Sequence, residues 1–311
     1  MKLAFVGYGS IAASHARSLR DAPGVEVTWV VGRDPATTEA FAREWEIPHW
    51  TLDLDAALAS DVDGVIITSP SDLHAAQTLA CLRAGKHVLP EIPLATSLAD
   101  AEAVAEAARG GALRVQVAHT QRYYPGLVEL RRRVEAGKLR PHHLVFRWFF
   151  LRRENVNWKG RRRTWTDNLL WHHGGHVVDA ALWVLGQEPD LESVRAQFGP
   201  PHPELGIPLD LDVQFRAGGV LVNVAMSYNS PWPRHEYLVI GEEGCLEYRD
   251  GKLWGPEGLV HDPAPADAIL DQDLEWFAAI REGRSPAASP DAVLPAMRVL
   301  GAAQAQLAAG A

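Results

Sequence analysis

Short apolar runs of strand length alternate with segments of helical spacing in the first part of the chain. The predicted strands are 2–6, 25–31, 47–51, 63–68, 86–90 and 113–118, and the predicted helices are 10–20, 36–45, 54–59, 73–84 and 97–109. Regular alternation of this kind is typical of an α/β domain with a doubly wound parallel sheet. We assign this domain to residues 1–122.

The pattern changes after residue 122, where longer strand-like runs follow one another without helices between them. The predicted strands here are 143–151, 191–198, 209–216, 220–228 and 236–240, and the predicted helices are 124–137, 173–185, 271–282 and 291–309. Hairpin residues at 217–219 and 249–251 indicate antiparallel pairing. We therefore predict a second domain, residues 123–311, of the α+β class with a large open, mostly antiparallel sheet that helix 173–185 covers on one face.

A glycine turn follows the first predicted strand. Gly7 permits a tight turn, Gly9 lets the backbone approach a pyrophosphate, and Ser10 and Ile11 open the following helix, whose N-terminus favours phosphate. The motif alone is weak, but a second β-branched strand follows at the distance expected of a βαβ unit. The sequence thus predicts a Rossmann domain that binds a nicotinamide dinucleotide.

The end of the second strand bears on the choice between NADP and NAD. An acidic residue at this place would bind a ribose hydroxyl and repel a 2′-phosphate, whereas here Gly32 and Arg33 come first. We expect NADP with Arg33 on its phosphate, while NAD stays possible. In the alternative interpretation Arg33 is solvated and Asp34 caps the next helix.

Composition and charge narrow the classes of function. The chain of 311 residues carries a formal net charge of −9, which disfavours general nucleic-acid binding. Its two cysteines have no metal or redox spacing, and no apolar stretch reaches membrane-spanning length. With no leader predicted at the first residues, we expect a cytoplasmic protein.

Several separated stretches resemble the Gfo/Idh/MocA family of oxidoreductases. They are Gly7–Ala12, Thr68–His74, Ala84–Val88, His176–Asp179 and Ile280–Arg284. The resemblance implies a nicotinamide-dependent dehydrogenase acting on a CH–OH group, with no metal. It also implies cofactor contacts from the loops after the fourth and fifth strands, at Ser69, Pro70, His74, Glu91 and Pro93.

Two positions depart from the family pattern. The family's Glu-Lys-Pro appears as Glu91-Ile92-Pro93, and the missing lysine is credited in the family with contacting the reacting hydroxyl. His172 replaces an aspartate that often precedes the family's helix histidine. Together with residues 149–153, 155, 157 and 163–167, these departures resemble a branch that oxidises a carboxylated cyclic hemiacetal with NADP.

The histidines of the predicted helix 173–185 and its N-terminal flank are the candidate acid/base groups. His172 and His176 are one turn apart and share a face, and histidine suits proton removal near neutrality. His173 and Asp179 are set off from that face, although Asp179 could turn back to orient His176. Zinc binding and a purely structural polar contact with the facing sheet are the alternatives.

Arginines are concentrated between residues 147 and 163, interleaved with aromatic residues. A guanidinium group can bind a carboxylate through two parallel hydrogen bonds. We therefore predict that Arg122 and Arg153 bind substrate carboxylates and that Trp165 offers a flat apolar surface to the substrate. A solvated charged face is the ordinary alternative.

Three functions fit these patterns. The first is an NADP-preferring dehydrogenase for a carboxylated cyclic hemiacetal or secondary alcohol, with His176 and His172 as its acid/base centre. The second is an NAD-dependent sugar or polyol dehydrogenase, and the third is a non-catalytic cofactor-binding regulator, which the loss of the lysine favours. In each case we expect a homodimer or homotetramer that pairs through the open sheet.

Overall fold

The structure is a computed structural model that describes residues 1–156 and 168–309. In chain order its elements are β1 (Lys2–Val6), α1 (Ser10–Leu19), β2 (Glu26–Val31), α2 (Pro35–Glu44), β3 (His49–Thr51), α3 (Leu54–Leu58), β4 (Gly64–Ile67), α4 (His74–Arg83), β5 (His87–Pro90), α5 (Leu98–Ala108), α6 (Pro125–Glu135), β6 (Pro141–Leu151), α7 (Leu169–Leu185), β7 (Pro189–Phe198), β8 (Asp210–Ala217), β9 (Val220–Ser227), β10 (Asn229–Gly241), β11 (Gly244–Arg249), β12 (Lys252–Gly255), β13 (Gly258–His261), α8 (Ala268–Glu282) and α9 (Pro290–Ala309). In this described part of the chain, no helix is both long and apolar enough to cross a membrane.

The chain forms two compact units. The first comprises Met1–His119 and Asp267–Leu294, and the second comprises the described residues of Thr120–Ala266 and Pro295–Ala311. This grouping differs from a single division at residue 122, because α8 returns to the first unit. Trp276 and Phe277 of α8 are buried in the core of that unit, which accounts for the return.

A parallel sheet organises the first unit. In the described residues it has five strands in the order β3-β2-β1-β4-β5, as predicted for a doubly wound fold. Alternate residues of β1 point to opposite faces of the sheet. Leu3 and Phe5 belong to one core cluster, and Ala4 and Val6 belong to the other. Both faces of β1 are therefore buried, which explains its continuous apolar run.

The predicted strand 113–118 is not a strand in the structure. The segment runs beside β5, with bridges such as Val88 N–H to the Arg114 carbonyl at 3.0 Å and a single ladder pair, Val88 with Val115. On its other side the Val117 amide donates to the carbonyl of Ala288, which belongs to a turn. The apolar pattern correctly predicted an extended segment, but only one residue pair of this segment forms a β-bridge with β5.

A mixed sheet organises the second unit. Its described strands number eight, in the order β13-β12-β11-β10-β6-β9-β8-β7, and all neighbouring pairs are antiparallel except β6 with β9. The predicted mostly antiparallel sheet is thus confirmed. Gly218 and Gly219 both have positive φ, as the tight hairpin between β8 and β9 requires.

Helix α7 packs on one face of this sheet. It begins earlier than predicted, because Asn168 caps it by accepting hydrogen bonds from the amides of Leu170 and Trp171. A Cβ on Gly174 would lie 3.1 Å from Leu300 and 3.4 Å from Met226, so a glycine here permits close packing. The helix ends at Gly186 in the left-handed conformation, as predicted.

Candidate functional site

The turn after β1 has the geometry that a dinucleotide pyrophosphate needs. Gly7 has φ +111°, and a Cβ there would lie 2.7 Å from the Thr68 backbone, so the position requires glycine. Gly9 caps α1 without any side-chain hydrogen bond, and the space where its Cβ would stand is open. With Ser10 and Ile11 in the first turn of α1, the residues present fit a phosphate group at this helix N-terminus.

Arg33 and Asp34 follow β2 at the same edge of the sheet. The Asp34 carboxylate accepts hydrogen bonds from the Thr37 amide at 2.8 Å and hydroxyl at 2.6 Å, and these bonds lower its pKa. The interpretation of Asp34 as a helix cap is therefore confirmed, and its carboxylate is directed towards α2. Arg33 is exposed.

The loops after β4 and β5 are joined by a buried histidine. The ring nitrogens of His74 lie 2.8 Å from the carbonyl oxygens of Ser69 and Pro93. The Ser69 hydroxyl donates to Gln77 at 2.5 Å, and Pro70 is half-buried beside it. His74 was predicted as a cofactor contact, but the ring is buried between two loop carbonyls and holds these loops together.

Glu91 is held by both of its carboxylate oxygens. Oε1 lies 3.0 Å from Nε2 of His15, and Oε2 accepts a hydrogen bond of 3.2 Å from the Ile92 amide. Ile92, which replaces the family lysine, is buried with 2% of its surface exposed. The Ile92–Pro93 peptide bond is cis. Nothing in the sequence pattern singled out His15, because it reads as an ordinary position of an amphipathic helix.

Three histidines of α7 lie together in the second unit, and two of them contact the ring of Trp148 on β6. The ring of Trp148 lies 4.6 Å from that of His173 and 5.4 Å from that of His176, between centroids. His172 lies 6.0 Å from His176, and both rings are half-buried, as their shared helical face predicts. An indole wall with two partly accessible imidazoles can bind a flat substrate and exchange a proton with it.

His173 belongs to a hydrogen-bonded chain with Tyr228 and Arg152. Nδ1 of His173 lies 2.6 Å from the Tyr228 hydroxyl, and Nη1 of Arg152 lies 3.5 Å from that same oxygen. The Arg152 guanidinium also lies over the Tyr228 ring, 5.3 Å from its centroid. Burial, followed by the charges of neighbouring histidines and Arg152, holds the pKa of His173 well below its ordinary value. We therefore assign His173 as neutral, with the tyrosine hydroxyl donating to it.

A second polar group lies on β10, and no sequence pattern pointed to it. The Tyr237 hydroxyl lies 2.5 Å from Gln121 Oε1 and 2.5 Å from His235 Nε2. The ring of His235 is 4.6 Å from Trp148, and burial lowers the pKa of His235 to about 4. The sheet side of Trp148 thus carries a neutral imidazole.

Arg122 and Asp179 form a buried pair with each other. Nε and Nη2 of Arg122 donate to the two carboxylate oxygens at 2.8 and 2.5 Å, and the side chains are only 6% and 3% exposed. Burial opposes the charge of Arg122, but Asp179 raises its pKa. The fork that was predicted to clamp a substrate carboxylate is occupied by Asp179. The carboxylate that was predicted to orient His176 likewise binds Arg122 through both oxygens.

Arg152 and Arg153 differ in their surroundings. Arg153 is exposed and donates to Asn229 at 3.1 Å, whereas Arg152 is half-buried at Tyr228. Side chains alternate between the faces of a strand, so the inward residues Trp148 and Phe150 of β6 place Arg152 on the histidine side. That alternation was visible in the sequence. Trp165, predicted as a substrate wall, lies outside the described residues, as do 157–164, 166 and 167.

Among residues 1–156 and 168–309, no three histidine, cysteine, aspartate or glutamate side chains are gathered as a metal site. The described groups that could carry chemistry are the glycine turn with the N-terminus of α1 in one unit, and the histidines, aromatic rings and Arg152 in the other.

Comparison with known proteins agrees with this division of chemistry. Residues 1–119 match the model of an oxidoreductase family with an NAD-binding Rossmann fold, and residues 125–254 match that of bacterial oxidoreductases, C-terminal. The chain is 38% identical to 4-carboxy-2-hydroxymuconate-6-semialdehyde dehydrogenase from Sphingobium sp., covering 99% of both chains. It is 32% identical to inositol 2-dehydrogenase 2 from Saccharopolyspora erythraea, covering 91% of this chain and 86% of the relative.

The fold is also that of a solved oxidoreductase from Agrobacterium radiobacter, crystallised in complex with NAD+, L-tartaric acid and magnesium. The TM-score is 0.86 at 18% identity, with 100% of this chain and 97% of the other covered. Fold, glycine turn and relatives together define a nicotinamide-dependent dehydrogenase. The chain belongs to the Gfo/Idh/MocA family of oxidoreductases.

Proposed function

We propose that this protein oxidises a cyclic hemiacetal that carries carboxylates, with NADP as the preferred cofactor. The observation that carries the proposal is Arg152, a half-buried cation held against Tyr228 beside the histidine helix. Guanidinium groups bind carboxylates through paired, charge-assisted hydrogen bonds, and Trp148 offers a flat ring beside the same histidines. The 38% identity to a dehydrogenase of a carboxylated semialdehyde supports this choice of substrate class.

His176 is the proposed acid/base residue. A bound nicotinamide cofactor would supply the hydride acceptor that oxidation of the carbinol carbon to the corresponding lactone needs. His176 takes the hydroxyl proton, because it is half-buried next to Trp148, whereas His173 is committed to Tyr228. His172, one turn away, is the proposed second group on this face. A hemiacetal hydroxyl is more acidic than an ordinary alcohol, which is compatible with Ile92 in place of lysine.

The proposed cofactor contacts are those that the sequence predicted, apart from His74, whose ring joins two loops. Gly7, Gly9, Ser10 and Ile11 would hold the pyrophosphate through backbone amides. Arg33 is the proposed ligand of the NADP 2′-phosphate, supported by its exposure and by the use of Asp34 as a helix cap. The proposed contacts of Ser69, Pro70, Glu91 and Pro93 come from the loops that His74 joins.

The experiment compares matched arginine variants on two substrates. Arg152→Gln should raise KM for the carboxylated semialdehyde by about tenfold to a hundredfold, as expected for loss of a charge-assisted hydrogen bond. Arg153→Gln is the matched control one residue later and should change KM little. A larger effect of Arg153→Gln than of Arg152→Gln would reverse the assignment of the clamp.

An inositol-type polyol with NAD is the second candidate, favoured by the 32% identity to an inositol 2-dehydrogenase. His176→Ala should lower kcat for either substrate while leaving cofactor affinity intact. Turnover of inositol with NAD, unaffected by Arg152→Gln, would establish this second function in place of the first.

We also propose that the open sheet of the second unit pairs two copies of the chain. Its face away from α7 carries Val145, Phe149 and Leu221 between polar side chains, and none of the three is fully buried. Size-exclusion chromatography with light scattering should give the molecular mass of a dimer or a tetramer, and the mass of one chain would contradict the proposal.

A further inference from the structure

A chain of three ionisable side chains lies inside the first unit. His15 on α1 is fully buried, with Nδ1 2.7 Å from Oδ2 of Asp273 on α8 and Nε2 3.0 Å from Oε1 of Glu91. Asp273 is also fully buried, whereas the Glu91 side chain is 12% exposed. These three hydrogen-bonded side chains therefore lead from the core of the unit to the loop after β5.

The two carboxylates favour a charged histidine. Burial by itself would lower the pKa of His15, but the charge and hydrogen bond of Asp273, with those of Glu91, raise it to about 10. The ring of Phe5, 6.5 Å away on β1, is the apolar neighbour on a third side. Asp273 is held in turn by Gln272, whose amide donates to Oδ1 at 3.2 Å. His15 thus donates from both ring nitrogens at neutral pH.

Stability alone does not account for this arrangement. Replacing a buried ion pair by apolar residues of similar volume is often neutral or stabilising, because desolvation offsets the attraction. Helix α8 already packs through Trp276 and Phe277. What these contacts add is a fixed position for the Glu91 carboxylate, whose second oxygen accepts a hydrogen bond from the Ile92 amide.

We propose that His15 and Asp273 are positioning residues, which hold the Glu91 carboxylate in one orientation for a bound nicotinamide cofactor. The inference rests on the proposed cofactor contact of Glu91. His15 on α1 also places a cation beside Glu91. In this family a lysine would supply a cation at the next position, where this chain has the buried Ile92.

The experiment uses Asp273→Asn and His15→Gln, with Phe277→Leu as the control. Phe277 lies on the same helix and in the same core but outside the charged chain. Fluorescence titration with NADPH should give a Kd about tenfold higher in both test variants, the equivalent of one charge-assisted hydrogen bond. Phe277→Leu should lower the unfolding temperature and leave the Kd unchanged.

Nitrogen NMR of the His15 ring in the protein without cofactor supplies a second readout. In the wild type both ring nitrogens should stay protonated about two pH units above the ordinary histidine pKa, and Asp273→Asn should bring the titration back towards that value. A neutral ring in the wild type overturns the inference, and so does an unchanged Kd in both variants. An equal change of Kd in Phe277→Leu also overturns it, since the effect would then be one of packing. If the wild type binds neither NADPH nor NADH, the proposed function fails as well, whereas a Kd retained in the variants overturns only the positioning role.

Discussion

The buried pair of Arg122 and Asp179 makes a sharp prediction about stability. Arg122→Met removes one partner and leaves a carboxylate with 3% of its side chain exposed in the core of the second unit. Breaking such a pair costs about 3–5 kcal/mol, because the Asp179 carboxylate stays buried after its guanidinium partner is removed. At about 2 °C per kcal/mol for a chain of this size, the unfolding temperature should fall by about 6–10 °C.

The double variant Arg122→Met with Asp179→Leu is the matched control. It removes both charges and should recover most of the lost stability, since the cost arises from the unpaired charge rather than from the pair. Thermal unfolding followed by circular dichroism measures both effects, and KM for the carboxylated substrate is measured in parallel. An unfolding temperature of Arg122→Met equal to that of the wild type, together with a raised KM, would restore Arg122 as a substrate clamp.

Three further predictions concern the first unit. Gly7→Ala should lower the free energy of unfolding by about 1–3 kcal/mol, because the backbone is strained and the new Cβ lies too close to Thr68. Gly9→Ala meets open space, so it should keep the wild-type unfolding temperature while weakening NADPH binding. Equal stability of the two variants would contradict this prediction. Arg33→Ser should shift binding from NADPH towards NADH, and titrations that keep the wild-type ratio would exclude Arg33 as the phosphate ligand. The pKa of His15, raised to about 10, makes its stabilisation complete below the unfolded value of about 6.5 and lost as pH rises through about 10. Unfolding temperature against pH should show this alkaline loss, and Asp273→Asn should flatten it; an unaltered profile in the variant would contradict the assignment.

Local patterns predicted the elements whose causes lie within a few residues. The strand, turn and helix around Gly7 follow from periodicity and from a glycine at positive φ. The cap at Asp34 follows from its position before Pro35, which is the first residue of α2. The hairpin at Gly218 follows from its two glycines.

Contacts between distant residues could not be predicted in this way. Arg122 and Asp179 are 57 positions apart, and His15 and Asp273 are 258 apart, so no local pattern pairs them. The charge of Arg122 was visible in the sequence, but its partner was not, and a substrate clamp was a reasonable interpretation. Arg152 is the opposite case, because strand alternation could have placed it beside the histidines and the run of arginines drew attention to Arg153 instead.

Reduction of NADP+ by the wild-type protein, followed by absorbance, shows directly whether the protein oxidises a carboxylated hemiacetal. The reaction is started with 4-carboxy-2-hydroxymuconate-6-semialdehyde and, in a parallel sample, with myo-inositol. We expect NADPH formation with the carboxylated substrate at a kcat/KM at least about a hundredfold above that for inositol, the discrimination expected of a charged contact with half-buried Arg152. Formation of reduced cofactor from inositol alone, or from neither substrate, would contradict it.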